Sequence, residues 1–213
     1  VLLGQATKLS NYLMGRKVYR GVLRLGEITD TWDSVGKILE ERPADAVSQE
    51  DIRAAVMAWA DLKEQEVPSY SAAKHQGQPL YKLSRRGLET PVKIKGIEIF
   101  NVELISIDMP YVTFRVACSS GTYIRSLAHS LGMRLGCGAV LTELIREYSH
   151  PFTLDEAVTL EELTESPERL ARRIAPLQGN GTKPSIPPSP PSASAHRSGE
   201  ARGRTTRCHP SHL

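Results

Sequence analysis

Between Tyr111 and Cys118 apolar and polar side chains alternate, with Val112, Phe114 and Val116 set against Thr113 and Arg115. A period of two belongs to a strand with one buried and one wet face. The same logic predicts strands over Val92–Phe100, Val102–Asp108 and Tyr19–Leu25, the last ending at Gly26. A Met109-Pro110 turn makes Val102–Cys118 an antiparallel hairpin. Elsewhere the period lengthens. Ile124, Leu127, Ala128 and Leu131 follow the i, i+3, i+4, i+7 rule of a helix buried along one stripe. Ser48-Gln-Glu-Asp51 resembles a capping box ahead of Ile52, Ala55, Val56 and Trp59, and Thr159-Leu-Glu-Glu162 opens a last amphipathic helix in the same way. Shorter helices are predicted at Thr7–Met14, stopped by Gly15, and at Pro79–Arg86, closed by Gly87. Strands joined by turns, with helices scattered between them, give an α+β fold: a mixed, mostly antiparallel sheet flanked by helices.

Composition narrows this picture in two ways. The 213 residues suit one domain of ordinary size, with no apolar run long enough to span a bilayer and no secretory leader pattern, so a soluble, cytoplasmic protein is expected. Cys118, Cys137 and Cys208 are widely spaced and form no CxxC or Cys/His ligand pattern, so neither a disulfide framework nor a metal site is expected. The net charge of +3 sits in the tail. From Gly179 onward there are five Lys/Arg against one acidic residue, which leaves 22 basic against 23 acidic groups before it. Nucleic-acid binding therefore has to rest on specific residues, since the body of the chain has no basic excess. Residues 179–213, rich in Pro and Ser, are expected to form a disordered basic tail behind a domain at 1–178.

One cation is oddly placed. Arg125 falls in the first turn of the helix that follows Cys118-Ser-Ser-Gly-Thr-Tyr123, where the helix dipole disfavours positive charge. Thr122 is a plausible N-cap, and His129 shares the face of Arg125, pointing away from the core stripe. Either Arg125 pairs with a surface carboxylate, or it holds a catalytic carboxylate or phosphate through its two-pronged head. The loop Gly26–Gly36 holds Asp30 and Asp33, and Asx-turn chemistry alone would account for both. Tyr19 at a strand start and the aromatic-basic loop Pro68–Gly77 are individually weak signals.

In combination they are specific. The stretches GQATKLSNYL, KVYRGVLRLGEITDTWDSVG, VPSYSAAKHQGQPLY and CSSGTYIRSLAHSLGMRLGCGAVLTEL, in this order, resemble the bacterial tRNA pseudouridine-55 synthase family over residues 1–178. The resemblance implies an α+β enzyme that isomerises a uridine in the T arm of tRNA, as a monomer and without metal or cofactor. It implies catalytic roles for Tyr19, Asp33 and Arg125. Tyr19 would stack on a flipped-out uracil, and Arg125 and Asp33 would share a network that holds a nucleophilic aspartate. It places Tyr123, Leu144 and Lys74 against the substrate.

The family's Gly-Thr-Leu-Asp-Pro-type loop, which carries the nucleophile, has no match in the 213 residues. On this resemblance the chain is an N-terminally incomplete catalytic domain, inert by itself, with a Pro/Ser tail where relatives continue into an RNA-binding domain. Two alternatives stand beside it: a non-catalytic module that grips the T arm, and a subunit of a guide-RNA-dependent pseudouridine synthase.

Overall fold

Five strands make one antiparallel sheet, with β1 (Lys17–Leu25) between β9 (Tyr111–Cys118) and β10 (Ala139–Ser149), and with β8 (Ile99–Asp108) and β11 (Phe152–Thr153) outside them. Three small ladders lie apart from it: β2 (Glu27–Thr29) with β3 (Ile38–Glu41), β4 (Glu64–Glu66) with β7 (Ile94–Gly96), and β5 (Lys74–His75) with β6 (Gln78–Pro79). The α-helices are α1 (Gln49–Met57), α2 (Leu80–Arg85), α3 (Ile124–Leu135) and α4 (Leu160–Glu165). The computed structural model describes residue 2 and residues 4–165, all within a unit that spans Val1–Ala175. The tail expected at 179–213 lies outside the described residues.

The alternation in the sequence sets the two faces of the sheet. Val112, Phe114 and Val116 are fully buried, and they pair across β1 with Leu23, Gly21 and Tyr19 on the same face. Against that face pack Ile52, Ala55 and Val56 of α1, Trp59 just beyond it, and the α3 stripe Ile124, Leu127, Ala128 and Leu131. Trp59 meets Phe114 edge-on, with ring centroids 4.9 Å apart. On the opposite face Arg115 bridges two strands, donating to Glu147 at 2.7 Å and to Glu103 at 2.9 Å.

Two glycines allow close approach. A Cβ at Gly21 would come within 2.7 Å of Phe114 Cζ, so the bare backbone lets that ring lie across β1. Gly132, inside α3, sits against the backbone of Gly138 and Ala139, and a Cβ there would collide with main chain. The core stripe and the hairpin follow the sequence, but several boundaries do not. Val92–Phe100 is not one strand: Ile94–Gly96 turns away to pair with β4, and β8 begins at Ile99. In place of a helix over Thr7–Met14 there is a 3₁₀ helix over Gly4–Leu13. Ser48 accepts from the Asp51 amide at 3.1 Å, but the Asp51 carboxylate takes the Ser48 hydroxyl instead of the backbone N–H. Aspartate is one methylene shorter than the glutamate of a full capping box. At Thr159 and Glu162, where the residue is Glu, both halves of the box form.

Gly132 yields a test. Alanine normally favours a helix interior over glycine by about 1 kcal/mol. Here Gly132→Ala is expected to destabilise the protein by about 1–3 kcal/mol, because the added methyl forces α3 off β10. Urea denaturation compares the two chains directly, and a variant of equal or higher stability contradicts the close-approach account.

Candidate functional site

The first turn of α3 answers the question raised by Arg125. Its Nη1 donates to an Asp33 carboxylate oxygen at 3.0 Å and to the Thr31 carbonyl at 2.8 Å, while Nη2 donates to the Tyr70 carbonyl at 3.0 Å. The two side chains are only 23% and 26% exposed, so this is a partly buried pair and not a loose surface contact. The pair expected from the sequence is present, but it is single-pronged. The remaining reach of the guanidinium goes to backbone carbonyls of two different loops. Arg125 thus ties the 30–36 loop and the 67–73 loop to the start of α3.

The Asp33 loop is fixed from three sides. Asp33 Oδ1 accepts from the Thr31 hydroxyl at 2.6 Å and from the Val35 amide at 3.2 Å, an Asx turn, while Oδ2 faces Arg125. The loop then runs along the free edge of β10, where the Leu141 amide donates to the Trp32 carbonyl and the Ser34 amide to the Leu141 carbonyl. Trp32 holds φ at 62°, a conformation costly for a bulky side chain. Its indole stacks flat on His129 of α3, with centroids 4.3 Å apart and planes 4° from parallel. His129, expected on an open helix face, is therefore half-buried, and burial lowers its pKa below the ordinary 6.5.

Tyr123 is the N-terminal flanking residue of α3, and Thr122 is not the cap expected. The Thr122 hydroxyl donates to the Ser119 carbonyl at 2.9 Å instead. The buried Gln65 of β4 takes the capping role, accepting from the Tyr123 amide at 2.6 Å and donating to the Tyr123 carbonyl at 3.0 Å. Tyr19 pairs with Arg146 and Gly21 with Leu144, so Tyr19, Leu144 and Arg146 share the α3-facing side of β1 and β10. Leu144 is nevertheless 44% exposed. The buried face ends in an apolar ledge open to solvent. Leu144 is three residues along β10 from the Asp33 anchor at Leu141, on the order of 10 Å. Burial raises the Tyr19 pKa, with Arg146 acting against the shift, so the phenol stays protonated at neutral pH. Lys74 stands apart, exposed on the β5–β6 hairpin, and the loop that leads into the hairpin reaches Arg125 through the Tyr70 carbonyl.

The structure thus joins Arg125 to Asp33, sets Tyr123 two residues from Arg125, places Tyr19 with Leu144, and leaves Lys74 on a separate arm. Gln65, Tyr70 and the Trp32–His129 stack were not singled out from the sequence. Gln65, an amide between two acidic residues, carries no periodic signal in the sequence. Among the described residues no cluster of three or more His, Cys, Asp or Glu could hold a metal ion, and no helix is long and apolar enough to cross a membrane. The Cys118 and Cys137 thiols are buried, and burial raises their pKa values.

Residues 1–124 match the model of the TruB family pseudouridylate synthase N-terminal domain, and residues 125–179 match that of the tRNA pseudouridylate synthase B C-terminal domain. The chain is 63% identical over 179 residues to tRNA pseudouridine synthase B of Nitratidesulfovibrio vulgaris strain Miyazaki F, a match covering 83% of this chain and 58% of that protein. It is 45% identical over 169 residues to the protein of the same name from Geobacter sulfurreducens, covering 79% and 56%. The chain spans less than two thirds of the length of these relatives. Among solved structures, one described as a Cbf5-Nop10-Gar1 complex aligns with a TM-score of 0.51 at 24% identity, over 76% of this chain and 40% of that one. That likeness bears on the fold alone.

His129 provides a pH test. Its folded-state pKa is lowered, so its contribution is fully present above 6.5 and is lost as pH falls from there through the folded value. His129→Phe keeps a ring on Trp32 without the titration. The stability gap between variant and parent is expected to shift in the variant's favour on acidification below 6.5, with little change above it. Urea midpoints measured across that range check this, and parallel curves rule it out.

Proposed function

Because the chain belongs to the TruB family of pseudouridylate synthases, we propose that its protein isomerises uridine to pseudouridine in the T arm of tRNA. In this reaction the N1–C1′ bond breaks, the uracil turns, a C5–C1′ bond forms, and the C5 proton is lost as N1 gains one. No electrons are exchanged with an outside partner, so the isomerisation needs no redox cofactor. The observation that carries the reading is the Arg125 node, a guanidinium that fixes Asp33 and two loops.

In this reading the ledge receives the flipped base. Tyr19 stacks on the uracil, Leu144 closes one side, and Tyr123 lies at the helix start beside them. Tyr19 remains a neutral phenol, so it serves through its ring, without holding a negative charge. Asp33 orients Arg125 and is not the attacking group. The attacking carboxylate is not among these 213 residues, since none of them matches the Gly-Thr-Leu-Asp-Pro loop. Lys74 on its arm contacts tRNA phosphate, a role that fits its exposure. The protein acts as a monomer in the cytoplasm.

A complementation experiment tests this. The chain is joined behind the Gly-Thr-Leu-Asp-Pro-bearing segment of a curated relative, and tritium release from C5-labelled uridine in a T-arm stem-loop is followed in single turnovers. The chimera is expected to release tritium and the unextended chain to bind the RNA without releasing it. Arg125→Lys in the chimera is expected to keep RNA affinity within a few-fold but to lose about a hundredfold or more in turnover. Lysine carries its three donors on one nitrogen and cannot span the positions of Nη1, on Asp33 and Thr31, and Nη2, on Tyr70, and a misplacement of about 1 Å costs that much. Absence of T-arm binding by the chain, together with an inactive chimera, refutes the proposal.

A further inference from the structure

Gln65 sits in β4 between two exposed glutamates, yet it is only 7% exposed itself. Its primary amide spans one residue of the neighbouring chain. The Oε1 atom accepts from the Tyr123 amide at 2.6 Å and Nε2 donates to the Tyr123 carbonyl at 3.0 Å. One turn further on, the Ser126 hydroxyl donates to the Glu66 carbonyl at 2.7 Å. No side chain of the helix's own N-terminal segment caps α3, so β4 supplies the restraint from outside. Two residues after Tyr123 comes Arg125, whose three hydrogen bonds to two loops depend on where that first turn lies.

We propose that Gln65 is a positioning residue: its two-pronged bond to Tyr123 sets the location of Tyr123 and of the Arg125 head. The inference rests on the reading of Tyr123 and Arg125 as parts of the base site. The chemistry required is narrow. One prong must accept and the other must donate, and among side chains of this length a primary amide does both. An ionised glutamate in its place would turn a second acceptor toward the Tyr123 carbonyl. A protonated glutamate would restore the pattern, since its carbonyl oxygen accepts and its O–H donates.

That difference makes the proposal testable by pH. The full chain and its Gln65→Glu and Gln65→Met variants are compared by NMR at about pH 8 and about pH 5, either side of the titration of a buried carboxyl. Hydrogen exchange of the Tyr123 amide, corrected for its intrinsic rate, reports the clamp. The Arg125 Nε–H resonance reports the position of the guanidinium with no RNA present. In Gln65→Glu the amide is expected to exchange about tenfold faster than in the parent at the higher pH, as for one lost hydrogen bond. Both the exchange rate and the Arg125 resonance are expected to return to the parent values at the lower pH. Gln65→Met, which fills the same space without hydrogen bonds, is expected to differ at both.

Affinity for a T-arm stem-loop RNA is expected to follow the same transition in Gln65→Glu at fixed salt. A Gln65→Glu chain whose Arg125 resonance stays at the parent position at both pH values overturns the positioning role. So does one that differs equally at both. If the parent chain binds no stem-loop RNA, the proposed function fails, while the exchange rates and the Arg125 resonance still decide the role of Gln65.

Discussion

A guanidinium at the positive end of a helix must find acceptors nearby, and Arg125 finds three within hydrogen-bonding distance. Only one of them is a carboxylate. The other two are main-chain carbonyls, from Thr31 and Tyr70, and this decides what the arginine does for the fold. A simple ion pair would fix two side chains. Arg125 instead fixes the backbone of two loops, one also held by the Trp32–His129 stack and the other by the Ser84 hydroxyl on the Ser69 carbonyl. Loops need such a scaffold, and here it is one side chain on a helix locked into the core by its own Ile124, Leu127, Ala128 and Leu131.

The sheet supplies the other half of the site through an abrupt end to its packing. Along β1 the side facing the helices runs from Leu25 and Leu23, both buried, to Gly21 and then Tyr19. Gly21 gives its space to the Phe114 ring, and the strand position opposite it holds the exposed Leu144. An exposed leucine on the core side of a sheet is poor for stability taken alone. Beside a half-buried tyrosine and an arginine, it offers a flat apolar surface with a polar rim. The Trp32 backbone departs from the ordinary regions in the same neighbourhood, and its strain is held by the His129 stack and two bonds to β10.

What could be read from the residues follows how local each signal is. The buried face of β9 and the α3 stripe are written in periods of two and 3.6, and both survive in the structure. The first-turn cation Arg125 only posed a question; it was the family resemblance that linked it to Asp33, 92 residues away. Gln65 was not accessible: a buried amide has no period, and its partner is main chain 58 residues away, where any side chain could stand. The Tyr70 carbonyl was hidden for the same reason. The Asp51 half-cap was misjudged by a single methylene, and the β7 boundary by a pairing partner, β4, that lies far from it in sequence.

The hydrogen bonding of the two loop aspartates also bears on the proposed chemistry. Asp33 spends one oxygen on the Thr31 hydroxyl and the Val35 amide, and the other on Arg125. Asp30 receives the Lys37 amide at 2.8 Å and the Tyr70 hydroxyl, whose pKa is raised by desolvation and by that carboxylate. A carboxylate that attacks carbon must be free to bring an oxygen to that carbon. Both aspartates are instead used to close turns, and freeing either would undo the loop that places it. The division of labour follows: Asp33 holds the arginine, and both carboxylates hold the loop that carries them.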